Sequence, residues 1–469
     1  MVFKTDTIAA VATAMSDSGI GIVRVSGENA ISIVDKLYVS KNKKKRLIDV
    51  KSHTIHYGFI QDQDVFIDEV MVAVMKAPNS YTTEDTVEIN CHGGVLMVNY
   101  ILETLLKYGA RLAEPGEFTK RAFLNGRIDL SKAEAVIDVI HSKNEFALKA
   151  STSQLKGVIA DEVSKMRSII IYEIAFIESA LDDPEHISLD GFEERISKEL
   201  YDLDFKMTQL IDSADNGKIL KEGVNTVILG KPNAGKSSLL NILVGEEKAI
   251  VTSIAGTTRD IIQENIKLHG IGLNIIDTAG IRDTEDIVEK IGVEKALKCA
   301  ETADLIIHVV DCSIPLDESD LDIMRLMDHK KAIILLNKTD LNSVLDDEII
   351  QDCLKDLSIP SYDLIPIIKT STSENIGIDL FENKIKEMFF HGEISFNDEI
   401  FITNMRHKEA LLDARNSIRL VKNSVDMSMP EDFLSIDLMS AYTSLGYIIG
   451  EEIGEDLVNE IFQKFCMGK

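Results

Sequence analysis

The stretch Gly230-Lys231-Pro232-Asn233-Ala234-Gly235-Lys236-Ser237 decides the fold of the central part of this chain. It follows the apolar run Thr226–Leu229 and precedes a helical pattern over Ser238–Val244. A glycine-rich loop between a strand and a helix is the context in which backbone amides surround phosphate groups. In such a loop Lys236 would contact the β- and γ-phosphates, and the Ser237 hydroxyl would bind Mg²⁺. The stretch therefore predicts a nucleotide-binding P-loop.

The sequence around the loop has the pattern of an α/β domain. Between residues 222 and 388, short apolar runs alternate with helical patterns, which is typical of βα units and a mostly parallel sheet. The predicted strands are Thr226–Leu229, Leu273–Ile276, Leu305–Val310, Ala332–Leu336 and Leu364–Ile368. We expect this block to be a P-loop domain.

The segments on either side of this block have different patterns. Residues 1–118 mix short β-rich runs with turn residues, which indicates an α+β domain. Residues 119–221 and 389–469 are helical. Their apolar stripes are Ala133, Val136, Ile137 and Ile140; Leu411, Ala414, Ile418 and Val421; and Ile453, Leu457, Ile461 and Phe465. Because each stripe needs a partner, we expect the two segments to form one discontinuous helical domain with residues 222–388 inserted.

Composition excludes several classes of protein. The formal net charge of −28 has the wrong sign for non-specific binding of nucleic acid, and the one basic run, residues 43–46, is read as a solvated loop. No apolar run reaches the roughly 18 residues of a membrane span, and the N-terminus lacks the pattern of a signal peptide. The 5 scattered cysteines indicate free thiols and a cytoplasmic protein.

Two more motifs follow the P-loop in order. Asp277-Thr278-Ala279-Gly280 ends an apolar strand, where the carboxylate can hold the Mg²⁺ shell and the glycine amide can meet the γ-phosphate. Asn337-Lys338-Thr339-Asp340 ends another strand. The Asp340 carboxylate can accept two hydrogen bonds from guanine, whereas adenine offers neither donor, so the predicted base is guanine. Ser371, in Thr370-Ser371-Thr372, is expected behind the base.

This order of motifs resembles the Ras-like GTPase superfamily. In small GTPases a glutamine after the Asp-x-x-Gly motif orients the attacking water, but here that position is Ile281, which cannot. Glu289 could reach the water directly or through a second water, or it could be an ordinary solvent-facing acid. Arg259 and Arg282 are weak candidates for an arginine finger. A bound monovalent cation could instead supply the missing positive charge.

Both ends of the chain make the resemblance more specific, and it then covers nearly all of the sequence. The segments that carry it are residues 6–10, 21–27, 84–94 and 115–126, the block Gly256-Thr257-Thr258-Arg259-Asp260, and the ending Phe465-Cys466-Met467-Gly468-Lys469. In these segments the chain is similar to the MnmE (TrmE) family of tRNA-modification GTPases, with Met467 where the family has Ile.

The resemblance implies an activity and partners. Members of the family act with the flavoprotein MnmG, in a heterotetramer, to install an aminomethyl or carboxymethylaminomethyl group at C5 of the wobble uridine of certain tRNAs. The N-terminal domain forms a homodimer and binds a tetrahydrofolate derivative, 5-formyl- or 5,10-methylene-tetrahydrofolate. Hydrolysis of GTP depends on K⁺ and is coupled to dimerisation of the GTPase domains. The tRNA is expected to bind through the complex, since this chain is acidic.

The resemblance also implies roles for particular residues. Asn233, Thr252, Ile254 and Thr257 would hold K⁺; Ser237 and Thr258 would hold Mg²⁺; and Glu289, Lys236 and Cys466 would be catalytic. Arg24, Glu88, Arg127 and Lys469 would contact the folate, with Cys466 near its pterin. The expected GTP contacts are Asn233, Ala234, Gly235, Lys236, Ser237, Ser238, Thr252, Ser253, Ile254, Ala255, Gly256, Thr257, Thr258, Asp277, Thr278, Ala279, Gly280, Asn337, Lys338, Asp340 and Ser371.

Other interpretations of these residues and of the chain stay open. Arg24 could be a strand-edge charge, Glu88 a surface acid, and His92 a turn histidine with satisfied hydrogen bonds. A regulatory GTPase of ribosome assembly would share the central motifs, although it normally carries a basic RNA-binding domain. A folate-dependent aminomethyltransferase with an added regulatory GTPase differs from the first interpretation only in which domain transfers the group.

Overall fold

A computed structural model describes most of the chain, as two compact units. The described residues are 6–41, 45–142, 144–183, 185–186, 188, 190–246, 263–268, 271–276, 300–359, 362–389, 401–451, 454–465 and 468. The first unit comprises Met1–His141, Ser151–Phe205 and Ala410–Lys469, and the second comprises Ser142–Ala150 and Lys206–Glu409. The finer boundaries at residues 118, 221 and 388 stay a prediction.

A sheet of seven described strands organises the N-terminal part of the first unit. The strands are β1 (Ile8–Val11), β2 (Ser18–Ser26), β3 (Tyr38–Ser40), β4 (Thr54–Asp62), β5 (Val65–Met75), β6 (Thr86–Gly93) and β7 (Arg111–Leu112). Their order is β3-β4-β5-β6-β2-β1-β7, and every pair is antiparallel except β1 with β7. Alternate residues of β5, such as Val70, Val72 and Val74, are buried, as expected for a sheet covered on one face.

Seven helices follow or connect these strands before the second sheet begins. They are α1 (Ala30–Leu37), α2 (Val95–Lys107), α3 (Glu117–Leu124), α4 (Leu130–His141), α5 (Glu145–Lys156), α6 (Val158–Asp182) and α7 (Phe192–Glu222). Helices α1 and α2 contribute to the core on the inner face of the sheet through Val34, Leu37, Ile101 and Leu105. The predicted α+β domain at the N-terminus is confirmed.

The second unit is built on a sheet of six described strands. They are β8 (Val224–Leu229), β9 (Gln263–Leu268), β10 (Ile271–Ile276), β11 (Leu305–Asp311), β12 (Lys331–Asn337) and β13 (Ile367–Lys369), and the described helices are α8 (Lys236–Glu246), α9 (Glu318–Arg325), α10 (Asp347–Asp356) and α11 (Ile378–Phe389). The order is β13-β12-β11-β8-β10-β9, and only β9 with β10 is antiparallel. The predicted, mostly parallel sheet is confirmed.

Because most of the strands are parallel, the loops that carry the predicted nucleotide-binding residues lie at one end of this sheet. Strand β11 is buried along its whole length, because apolar clusters cover both faces of the sheet. The carboxyl ends of β8, β11 and β12 therefore lie side by side, and the P-loop follows β8 there. The last predicted strand, Leu364–Ile368, was placed too early, since Tyr362–Leu364 is a 3-10 turn and β13 begins at Ile367.

Three helices return the chain to the first unit. They are α12 (Met405–Asp426), α13 (Glu431–Ile449) and α14 (Glu455–Gln463). Helix α13 packs along α6, whose buried side chains Ile159, Val163, Met166 and Ile170 recur at helical spacing. Helices on the two sides of the inserted block therefore pack together, which confirms the discontinuous helical domain.

Two of the predicted apolar stripes needed correction. The stripe of α12 is confirmed, with Leu411, Ala414, Ile418 and Val421 all buried. In α14 Val458 and Phe462 are buried, as is Phe465 just after the helix, whereas Leu457 is exposed and Ile453 lies outside the described residues. Both faces of this short helix carry apolar residues, so periodicity alone could not choose between neighbouring stripes.

The stripe of α4 ends sooner than predicted. Ala133 is buried but Ile140, two turns later, is exposed, because the apolar cluster with α14 extends along α4 only as far as Ile137. No helix within the described ranges is long and apolar enough to cross a membrane.

Candidate functional site

The conformation of the loop between β8 and α8 requires its glycines. Gly230 has φ of 149°, and a Cβ there would lie 2.3 Å from the carbonyl oxygen of Val309. Gly235 has φ of 110°, and a Cβ there would lie 2.0 Å from the side-chain nitrogen of Asn337. A side chain at either position would collide with a neighbouring strand end, so the loop takes this shape only with glycine.

The first two peptide carbonyls of the loop orient Lys236. Its Nζ donates to the carbonyl oxygens of Gly230 and Lys231, at 2.6 Å in each case. Burial lowers the pKa of Lys236 from its usual value, as expected for an ammonium group partly removed from water. The cation is thus held inside the curve of the loop, where the predicted phosphates would lie.

Asn337, at the end of β12, joins the P-loop to the loop after β13. Its Nδ2 donates to the carbonyl of Ala234 at 2.8 Å and to Oγ1 of Thr372 at 3.2 Å. Its Oδ1 accepts from the backbone N–H of Thr372 at 3.0 Å. The side chain is buried, and these bonds fix two loops relative to each other. The first residue of the predicted guanine motif is therefore a structural link between phosphate loop and base loop.

Asp340 is presented to solvent as an acceptor. Its Oδ1 accepts a hydrogen bond from the Ser371 hydroxyl at 2.6 Å, and this bond lowers the pKa of Asp340. The group is therefore a carboxylate at neutral pH, as recognition of guanine requires. Nζ of Lys338 donates to Oδ2 of Asp311 at 2.5 Å, which fixes its side chain at the end of β11. The structure brings Ser371 to Asp340, and the expected position of Ser371 behind the base stays a prediction.

The remaining predicted nucleotide residues fall into two groups. Asn233, Ser237 and Ser238 are exposed on the P-loop and the first turn of α8, where they are accessible to a ligand. Outside the described residues lie Thr252, Ser253, Ile254, Ala255, Gly256, Thr257, Thr258, Asp277, Thr278, Ala279, Gly280 and Glu289.

A second group of predicted residues meets in the first unit. Arg24 on β2 and Glu88 on β6 are direct neighbours in the antiparallel register, and Nε of Arg24 donates to Oε1 of Glu88 at 2.8 Å. Arg24 also donates from Nη1 to the carbonyl oxygen of Gly468 at 3.1 Å. The C-terminal segment therefore reaches the sheet, although Cys466 and Lys469 lie outside the described residues.

The ring of Tyr81 lies next to both predicted arginines. The guanidinium carbon of Arg127 is 4.9 Å from the ring centre and that of Arg24 is 5.5 Å from it. Nη1 of Arg127 also donates to the Tyr81 carbonyl at 3.2 Å. Sequence reasoning missed Tyr81, because a tyrosine in a turn carries no motif of its own.

Arg127 also lines an open groove of about 580 Å³ with Met75, Asn79 and Asn125. Among the described residues no carboxylate forms an ion pair with Arg127, whereas Arg24 is paired with Glu88. The Arg127 cation, which lies beside the aromatic ring of Tyr81 and has no ion-paired acid among the described residues, suits a ligand with a carboxylate and a flat ring system. The features of a folate are therefore compatible with this cluster.

The fold and the site around the P-loop define a P-loop protein that binds guanine nucleotides. Comparison with known families agrees: the model of the MnmE helical domain matches residues 130–466, and that of the GTP-binding protein TrmE N-terminus matches residues 7–127. The chain belongs to the MnmE family of tRNA modification GTPases.

Curated relatives match the chain over its whole length. The tRNA modification GTPase MnmE of Lachnoclostridium phytofermentans is 57% identical and aligns with 99% of this chain and 100% of its own. The proteins of the same name from Alkaliphilus oremlandii and Acetivibrio thermocellus are each 47% identical, with 99% of both chains and 100% of both chains covered, respectively.

Proposed function

We propose that this protein hydrolyses GTP and that the hydrolysis serves the modification of tRNA. The observation that supports it most is the bond network of Asn337, which ties the phosphate loop to the loop that holds Asp340. A carboxylate kept ionised by Ser371 accepts from guanine, and Lys236 lies ready inside the phosphate loop. Membership of the family then supplies tRNA as the macromolecule that is modified.

Hydrolysis in this proposal needs two cations and a residue that orients water. Ser237 and Thr258 hold Mg²⁺, and K⁺ is held by Asn233 with Thr252, Ile254 and Thr257. K⁺ would cancel charge that develops in the transition state, since Ile281 cannot replace the usual glutamine. Glu289 orients the attacking water. The exposed side chains of Asn233 and Ser237 are compatible with these roles.

The group transfer is assigned to the first unit. A tetrahydrofolate derivative would supply a one-carbon unit when bound. Arg127 would bind its carboxylate tail, and Glu88 would accept hydrogen bonds from its aminopyrimidine face. Lys469 and Cys466 would complete the pocket from the C-terminal segment, which the bond from Arg24 to Gly468 brings to the sheet.

The proposal includes partners that the family implies. The chain would form a homodimer and a heterotetramer with the flavoprotein MnmG in the cytoplasm. The modified base would be the wobble uridine of certain tRNAs, at C5. Because the net charge is −28, MnmG would supply much of the surface that meets the tRNA.

The test is nucleoside analysis of tRNA from cells that lack this protein. We expect the modified wobble uridines to be absent, to return with the wild-type gene, and not to return with a Lys236→Ala variant. Normal levels of modified uridine in the deletion strain would refute the proposal. Normal uridines together with defective ribosomal subunits would favour a GTPase of ribosome assembly instead.

A second measurement tests the nucleotide itself. Purified protein should hydrolyse GTP and leave ATP intact, because adenine lacks the two donors that Asp340 accepts. Equal hydrolysis of the two nucleotides would contradict the assignment of Asp340.

A further inference from the structure

Lys231, the second residue of the P-loop, forms a buried ion pair that the mechanism above does not use. Its Nζ lies 2.7 Å from Oδ2 of Asp320 and 3.0 Å from Oδ2 of Asp317. The Lys231 side chain is 12% exposed and that of Asp320 is 1% exposed. The pair is therefore screened little by water.

The two carboxylates are fixed by the start of α9. Oδ1 of Asp317 accepts from the backbone N–H groups of Ser319 and Asp320, at 3.0 Å and 3.4 Å. Oδ2 of Asp320 accepts in return from the Asp317 backbone N–H at 3.2 Å, so the two residues form a capping box. These acids cannot follow a moving lysine, because they are already bonded to a helix end.

A buried histidine of the sheet lies beneath Asp320. His308, on the central strand β11, is fully buried, with Nε2 at 3.7 Å from Oδ1 of Asp320. Lys231 is thus anchored to a helix start that itself rests on the middle of the sheet.

The backbone of Lys231 meets the proposed catalytic cation. Its carbonyl, with that of Gly230, accepts from Nζ of Lys236. The same residue therefore binds α9 with its side chain and orients Lys236 with its main chain.

We propose that Lys231 is a positioning residue for GTP binding: its ion pair with Asp320 holds the first two carbonyls of the P-loop where they aim Lys236 at the phosphates. This inference rests on the proposed GTPase function. It predicts that losing the ion pair weakens the affinity for GTP and GDP, since both nucleotides carry the β-phosphate that Lys236 would contact.

The experiment compares variants of the full-length protein by equilibrium binding of fluorescent GTP and GDP, steady-state GTP hydrolysis and thermal unfolding. The variants are Lys231→Met, Lys231→Arg and the double variant Lys231→Met with Asp320→Asn. Lys384→Met is the matched control, since Lys384 forms a partly exposed pair with Glu387 in the same unit.

Lys231→Met should weaken the binding of both nucleotides by about 5- to 150-fold, the usual range for coupling between two sites, while kcat changes less. Lys231→Arg should bind GTP more tightly than Lys231→Met, because it keeps the charge that pairs with Asp320. Lys384→Met should match the wild type. The double variant leaves no unpaired charge in the interior, so it should unfold at a higher temperature than Lys231→Met. It should nevertheless bind GTP as weakly as Lys231→Met.

Three outcomes would overturn the inference. In the first, Lys231→Met binds GTP as tightly as the wild type. In the second, the double variant regains both stability and affinity, which would show that the pair acts on stability alone. In the third, wild-type protein binds no GTP, which would overturn the proposed function as well.

Discussion

The C-terminal segment offers the sharpest prediction, through the single substitution Gly468→Ala. Gly468 has φ of 89°, and a Cβ there would lie 2.1 Å from the carbonyl oxygen of Val11. The atoms of Val11 and Ala12 that this Cβ would meet all belong to the main chain, so no side-chain rotation relieves the contact. The left-handed backbone alone costs an alanine about 1–2 kcal/mol. We therefore expect the segment to leave the sheet.

When the C-terminal segment leaves the sheet, the free energy lost is limited to that of the contacts that hold the segment there. Among the described residues, the hydrogen bond that holds Gly468 is the one from Nη1 of Arg24 to its carbonyl. A hydrogen bond from a charged donor contributes about 1.5–3 kcal/mol. Loss of about 1.5–3 kcal/mol raises the fraction of molecules in which the segment is released by about 10- to 150-fold, since each 1.4 kcal/mol is a factor of ten.

Carboxypeptidase digestion of the folded protein measures this population, because cleavage follows the open fraction when opening and closing are fast. Gly468→Ala should be trimmed past residue 468 about 10- to 150-fold faster than wild type. It should also lose binding of 5-formyl-tetrahydrofolate and keep GTP hydrolysis. Gly454→Ala is the matched control, since a Cβ there meets nothing within 4 Å. Equal digestion of Gly468→Ala and wild type would refute the reasoning.

Four further predictions follow from the two sites. Replacing K⁺ with Na⁺ should slow GTP hydrolysis sharply, and equal rates in the two salts would exclude a K⁺ site. Glu289→Ala should lower kcat and leave nucleotide affinity nearly unchanged, because the residue acts on water; loss of affinity with normal turnover would contradict that role. Burial lowers the pKa of His308, so the unfolded chain binds a proton that the folded chain does not. Stability against urea should therefore fall as pH drops below about 6.5, and less so in His308→Leu; the same pH dependence in both proteins would be the contrary result. Cys466→Ser should abolish tRNA modification but keep folate binding if the thiol reacts, whereas loss of both would indicate a packing role.

The fold could be predicted wherever the sequence has a strong hydrophobic periodicity or a motif that follows a predicted strand. Strands such as Leu305–Val310 are apolar apart from single residues such as His308 because they are buried on both faces, and they were found within one or two residues. The stripe of α14 was misplaced, since Leu457 and Val458 are equally apolar and only the contact with Leu130 on α4 decides between them. That contact joins residues more than 300 positions apart, which local periodicity cannot sense.

The sites were predictable to a smaller extent. The P-loop, Asn337 and Asp340 carry fixed chemistry at fixed spacing, so sequence was sufficient to find them. The positions of Tyr81 and the pairing of Lys231 with Asp320 were not foreseen, because neither belongs to a motif and both depend on which loops the folds bring together. A lysine in a P-loop looks like a phosphate ligand until its ammonium is found bound to α9.

Arg24, like Lys231, is already bonded to other residues of the protein, and these bonds change the interpretation of its role. As an isolated residue it suits the carboxylate tail of a ligand, together with Arg127. In the structure its Nε is bound to Glu88 and its Nη1 to the Gly468 carbonyl, which leaves Nη2 as the one nitrogen without a hydrogen bond among the described residues. Its charge is already balanced by Glu88, so the long-range attraction for an anion falls to Arg127. Arg24 is therefore better placed to hold strand β6 and the chain end in one arrangement, and the same two bonds bring residues separated by 444 positions to a single site.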